Sequence, residues 1–178
     1  MNKPKKGFVL WLTGLSGAGK TTIADALYDK LINKSYVNIE KLDGDIIREK
    51  LTKDLGFTKE DRQKNLERVS FVAKLLSRNN IGVIASFISP YKQDRQEIKK
   101  STTNFIEVYI ATPLEICEKR DVKGLYKKAR TGKINNFTGI SDPYEIPTNP
   151  DIEIKTQNQT IEESVNQLYN YLINNGYF

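Results

Sequence analysis

The stretch Gly14-Leu15-Ser16-Gly17-Ala18-Gly19-Lys20-Thr21 fits G-x-x-x-x-G-K-[ST], and Thr22 adds a second hydroxyl behind it. Glycines at these spacings let the backbone bend until several N–H groups point at one anion. A helix starting at the lysine adds its positive end to the same spot. In such a loop Lys20 reaches the outer phosphates of a nucleotide and Thr21 can ligate Mg²⁺. The apolar run Phe8–Leu12 in front and the helical spacing behind supply the strand–loop–helix context that the motif requires. Residues Gly14 to Thr22 are therefore expected to hold the phosphate chain of ATP or GTP.

A second group of charges marks where the phosphate could go. Between Lys119 and Lys133 stand seven basic residues and one acid, Asp121, in a chain whose net charge is only +6. Arg120, Lys123, Lys127 and Arg130 are three or four apart, so a continuous helix would put them on one face. Such a cluster suits a nucleic-acid surface or a small polyanion, and its company with a phosphate loop favours the latter. There is no N-K-x-D to read guanine, and the apolar run Ile81–Ser86 ends without the acid usual in ATPase motors. The pattern fits a small-molecule kinase with a basic lid.

Composition removes other chemistries. The chain of 178 residues has no histidine and one cysteine, Cys117, so histidine acid–base catalysis, His-ligated zinc and an intrachain disulfide are excluded. One domain over 1–178 is expected, with a lid at about 119–150. No apolar run approaches the ~20 residues of a membrane span, and no signal peptide is read, so a soluble cytoplasmic protein is expected.

Five strand-like runs are expected at Phe8–Leu12, Tyr36–Leu42, Ile81–Ser86, Phe105–Ile110 and Ile152–Lys155. Helical patterns follow Thr21, Thr58, Ser89, Thr112 and Thr160, and Lys123–Arg130 reads as helix. Ser89-Pro90 reads as an N-cap before a first-turn proline, and Thr112-Pro113-Leu114-Glu115 as a capping box. Strands alternating with helices predict an α/β, three-layer fold: a five-stranded, mainly parallel sheet covered on both faces. Ligands then sit at the carboxyl ends of the strands, where the phosphate loop, Asp43-Gly44-Asp45 and Ser86–Ser89 lie.

From DGDIIR (43–48) onward, LGFTKEDRQKN (55–65), SFISPYKQDR (86–95), DVKGLYKKARTG (121–132) and NNFTGISDPYEIP (135–147) follow in an order that resembles the adenylylsulfate (APS) kinase family of P-loop kinases over nearly the whole chain. The resemblance implies transfer of the γ-phosphoryl of ATP, with Mg²⁺, to the 3′-hydroxyl of adenosine 5′-phosphosulfate (APS), giving PAPS. It implies Arg48, Arg62 and Asn65 at the APS site, an adenine clamp of Phe57 and Phe137 beside Asn136, and contacts from Ile88, Ser89 and Lys123. Arg120 and Arg130 would face the ATP. Asp45 is placed nearest the acceptor hydroxyl, as a group that orients it, accepts its proton late and helps Thr21 hold Mg²⁺. An ordinary aspartate, with a pKa of ~3.9, is a weak base, which suits a loose transition state. Asp43 is read equally as a turn cap. In some bacterial members the serine matching Ser89 is phosphorylated; in-line transfer needs no such intermediate, so Ser89 is read as a cap and contact within the catalytic group of Lys20, Asp45 and Ser89.

The resemblance also implies a free-standing kinase and a homodimer, with no nucleic-acid or membrane partner. The alternatives are another small-molecule P-loop kinase, which would not need both phenylalanines, and a non-catalytic PAPS-binding regulatory domain, in which the phosphate loop is degraded; here Gly19, Lys20 and Thr21 are intact.

Overall fold

Every residue of the first strand, β1 (Phe8–Thr13), is buried, which is what a continuous apolar run in the middle of a doubly covered sheet requires. The structure, a computed structural model, describes residues 2–178. Its remaining strands are β2 (Ile39–Asp43), β3 (Gly82–Ser86), β4 (Phe105–Ile110) and β5 (Ile152–Ile154). They form one sheet in the order β2-β3-β1-β4-β5, with all four pairings parallel. The α/β class expected from sequence holds, and the sheet is parallel throughout.

Alternation along β1 divides the core. Phe8, Leu10 and Leu12 pack with Ile23, Leu27 and Leu31 of α1 (Lys20–Asn33) and with Val165, Leu168 and Leu172 of α7 (Ile161–Asn174). Val9 and Trp11 point the other way, to Leu66, Val69 and Ala73 of α3 (Lys59–Ser77) and Ile98 of α4 (Lys92–Ser101). Thr58 caps α3 by accepting from the Asp61 amide, and Thr160 and Glu163 complete a reciprocal capping box on α7, as their spacing predicts.

Other local readings fail for identifiable reasons. The second strand starts at Ile39, because Asn38 takes a left-handed φ of 61°, and Tyr36 makes only an isolated bridge to Asn2. A short helix, α2 (Gly44–Lys50), follows β2 and was not anticipated; Asp43 caps it by accepting from the Asp45 amide. Ser89 caps nothing: α4 begins at Lys92 with Tyr91 as its N-cap, and the Ser89 hydroxyl is used by Trp11. Thr112 does not cap α5 (Leu114–Arg120) either, since its hydroxyl donates to the Ala18 carbonyl and Pro113 takes the N-cap position. The expected basic helix face is broken. The chain bends at Asp121 (φ 23°) and Gly124 (φ 63°), so Arg120 ends α5 while Lys127 and Arg130 lie on α6 (Leu125–Arg130).

Candidate active site

The carboxyl ends of β1, β2 and β3 open into one cleft of about 610 Å³. Its floor is the loop Ser16–Thr22, and its walls come from 43–48, 57–66, 86–90, 120–126 and 137–138. Gly19 has a φ of 104°, which a side chain would strain, and it delivers the chain into the first turn of α1. Lys20 is buried behind the loop, with its ammonium donating to the Gly14 carbonyl (2.9 Å) and the Leu15 carbonyl (2.7 Å). Burial lowers its pKa to about 8. Leu15 turns its side chain to a second groove, so its contribution here is main-chain.

Thr21 donates to Asp43 at 2.8 Å, and Ser86 donates to the same carboxylate oxygen at 3.1 Å. Burial opposes the Asp43 charge, but these hydroxyls and the Asp45 amide outweigh it and hold the carboxyl below the usual range. Asp43 is thus both the cap of α2 and the acid beside Thr21. Asp45, two residues on, is exposed to the cleft and ion-paired with Lys123. The oxygens of Thr21 and Asp43 are hard donors beside a phosphate-type loop. They fit Mg²⁺, which keeps several waters and is bound by one or two carboxylates plus phosphates rather than by a protein cage.

On the far wall, Arg62 and Asn65 emerge from the first turns of α3, both buried and both facing the cleft. Arg62 donates to the Phe57 carbonyl (3.1 Å) and the Asn136 carbonyl (2.5 Å), and lies 3.6 Å from the Asp142 carboxylate. It is therefore no surface partner of Glu60 or Asp61. The Arg48 guanidinium stacks 4.4 Å over the Phe57 ring and donates to the Gly56 carbonyl. Burial lowers the pKa of both arginines.

The two phenylalanines both reach the cleft but differ in setting. Phe57 is 55% exposed; Phe137 is 9% exposed and packs edge-on against Tyr126 at 4.9 Å. Asn136 reaches the site through its carbonyl and is not on the wall. Ile88 and Ser89 line the cleft at the end of β3.

Helix α6 lies inward. Tyr126 on it donates to the Ser16 carbonyl at 2.9 Å, and Asp121 accepts from the Tyr126 and Lys127 amides. Arg120 is directed at the Gly17 carbonyl (3.3 Å). Arg130 is paired with Glu118 through two contacts (2.8 and 3.0 Å) and does not reach the cleft.

Sequence reasoning missed the wall made by Thr156, Gln159, Ile161 and Ser164. The signal was available: β5 ends at Ile154, so the residues after it must emerge at the same carboxyl edge as the phosphate loop. Ile161, the first residue of α7, is 52% exposed and belongs to this wall.

Comparison with known proteins agrees with this geometry. Residues 6–155 match the family model described as adenylylsulphate kinase. A probable adenylyl-sulfate kinase of Pseudomonas aeruginosa is 67% identical over 89% of this chain and 74% of its own length. An adenylyl-sulfate kinase of Halothermothrix orenii is 57% identical over 97% of this chain and 93% of its own. Among solved structures, the APS kinase of Mycobacterium tuberculosis in complex with AMPPNP and APS superposes with a TM-score of 0.90 at 41% identity, covering 96% of this chain and 99% of that one. A sugar kinase from Janibacter (TM-score 0.66, 16% identity) shares the fold alone. The chain belongs to the adenylylsulphate kinase family.

Proposed function

We propose that the chain transfers the γ-phosphoryl group of ATP to the 3′-hydroxyl of adenosine 5′-phosphosulfate, giving ADP and PAPS and releasing the hydroxyl proton. The observation that carries this is a single cleft that joins an intact phosphate loop to two inward arginines and two phenylalanines. A relative named adenylyl-sulfate kinase, matched along 93% of its length, and a matching structure that holds AMPPNP with APS support the same pair of substrates.

In this reading the loop amides and Lys20 hold the ATP phosphates, with Arg120 beside them. Mg²⁺, when bound, neutralises charge on the transferring phosphoryl group, and Thr21 and Asp43 are the residues to hold it, with Asp45 contributing through water. Arg48, Arg62 and Asn65 take the anionic and polar groups of the acceptor, and Phe57 and Phe137 take its adenine between them. Asp45 orients the acceptor hydroxyl and receives its proton late; Lys123, now its ion-pair partner, is positioned to move onto the substrate's charge. Ser89 is not a nucleophile in this scheme. It is 2% exposed, its hydroxyl accepts from the Trp11 indole at 3.0 Å and donates to the Phe87 carbonyl. The stretch 119–150 acts as lid over a single domain. A homodimer and a cytoplasmic setting are the family expectation; one structural neighbour, from Thiobacillus denitrificans, is described as hexameric, and no described helix is long and apolar enough to cross a membrane.

A substrate panel tests the reading. With ATP and Mg²⁺, ADP release should depend on APS and not on gluconate, shikimate or nucleosides. Release driven by one of those instead would transfer the chain to another kinase reaction.

A further inference from the structure

Four consecutive carbonyl groups in the cleft-lining segment Phe87–Pro90 are held by donors. The Phe87 carbonyl accepts from the Ser89 hydroxyl (3.4 Å), that of Ile88 from Thr13 (2.7 Å), that of Ser89 from Arg95 (2.6 Å), and that of Pro90 from the Glu145 amide (2.8 Å). Ser89 has a φ of 40°, a backbone state that a side-chain-bearing residue keeps only when its surroundings impose it. Two side chains do most of the imposing. Arg95 is 2% exposed, and its planar fork spans three acceptors: the Glu107 carboxylate on β4 (2.8 Å), the Ser89 carbonyl and the Glu145 carbonyl (2.6 Å). Thr13, the last residue of β1, donates to Ile88, so the Tyr144 hydroxyl 3.0 Å away must donate to it.

Neither Arg95 nor Thr13 lines the cleft. We infer that they are positioning residues for the acceptor substrate: they keep the Ile88 and Ser89 carbonyls turned into the protein, so that this wall never offers a carbonyl oxygen to an anionic ligand. This rests on the proposed function, because only an anionic acceptor makes the orientation matter. A peptide freed from these bonds could swing its oxygen into the cleft and repel the phosphosulfate. The phosphate loop takes its own shape from other bonds, so the effect belongs to the acceptor and not to ATP.

The alternative is a buried ion pair, Arg95–Glu107, that only stabilises the fold. Loss of such a pair lowers the thermal midpoint and the amount of active enzyme but leaves the KM of what remains unchanged. Two variants separate the cases. Arg95→Lys keeps a cation near Glu107 but cannot span three acceptors; Thr13→Val keeps the shape and loses the hydroxyl, and it carries the test if Arg95→Lys does not fold. With product formation measured on the full chain, KM for APS should rise about tenfold in Arg95→Lys and about threefold in Thr13→Val, with KM for ATP held within about twofold. A lowered melting point with unchanged KM for APS, or equal rises in both KM values, overturns the inference while wild-type turnover leaves the function standing. A wild-type chain that makes no PAPS overturns the function and the inference with it.

Discussion

The two halves of the cleft are built in opposite ways. The half proposed for ATP is built on one continuous stretch, Ser16–Thr22, whose working groups would be mostly main-chain amides fixed by local geometry. The half proposed for the acceptor gathers residues from segments as distant in sequence as Arg48, Arg62, Ser89, Lys123 and Phe137, all of which line the same cleft. Its arginines are tied to backbone carbonyls across those segments, as Arg62 is to Phe57 and Asn136. A local device survives changes elsewhere in the protein. A gathered one depends on every loop that contributes to it, and its parts must be supported from behind.

The largest effect that would sharpen this contrast belongs to the donor half. Lys20→Ala should lower kcat by about a hundred- to a thousand-fold, the usual cost of losing one fixed cation at a developing charge. Its KM for APS should change by less than about threefold, because Lys20 faces the loop and not the far wall. Steady-state kinetics with each substrate varied would check both values; unchanged turnover would remove Lys20 from the chemistry.

The two jaws come next. Phe57→Ala and Phe137→Ala should each raise KM for APS by about tenfold, the scale of one lost base–aromatic contact. They should part company in stability. Phe137 packs on Tyr126 within the core, so its loss should cost about 3 kcal/mol, whereas exposed Phe57 should cost about 0.5 kcal/mol or less. Denaturant unfolding beside the kinetics would show whether the jaws differ as their burial implies.

Smaller again is Arg130→Ala. Paired with Glu118 on an exposed face, where water screens the pair, Arg130 should contribute little to stability, and its loss should change KM for ATP by less than about twofold. A tenfold rise in that KM would mean that the lid rearranges to bring Arg130 to the nucleotide.

The last is a pH effect. Folded Lys20 holds its proton to about 8, against an ordinary 10.5. Between those values the unfolded chain carries a proton that the folded chain lacks, so this group makes stability rise with pH from about 8 to 10.5 and adds no slope below. Chemical denaturation of wild type and Lys20→Met across that window should show the extra slope in wild type alone. Saturating ATP should abolish it, since the phosphates favour the charged ammonium.

How much of this was legible in the sequence follows the same division. The sheet, its parallel pairing and the phosphate loop are written in contiguous residues, because strand burial and helix caps such as Thr58 and Thr160 act over a few positions. The proposed acceptor half comes from family resemblance alone, since no periodicity says that Phe57 and Phe137 share a cleft, as they do. Local signals misled where tertiary partners claimed the same atoms. Ser89 and Thr112 look like caps, yet their hydroxyls answer to Trp11 and Ala18. The basic run looked like one helix face, but Asp121 and Gly124 turn the chain, so that Arg120 and Lys123 reach the cleft while Arg130 does not. Asp43 was half read: its capping role is local, and its bond to Thr21 joins the end of β2 to the first turn of α1.

The most direct test of two substrates meeting in one cleft is to identify the product. Purified chain incubated with ATP, Mg²⁺ and APS should yield ADP and a nucleotide whose phosphorus NMR spectrum carries a new phosphomonoester on the 3′ oxygen, in equal amounts and only when all three are present. ADP formed without APS, or a phosphoryl group found on any other position, would contradict the account.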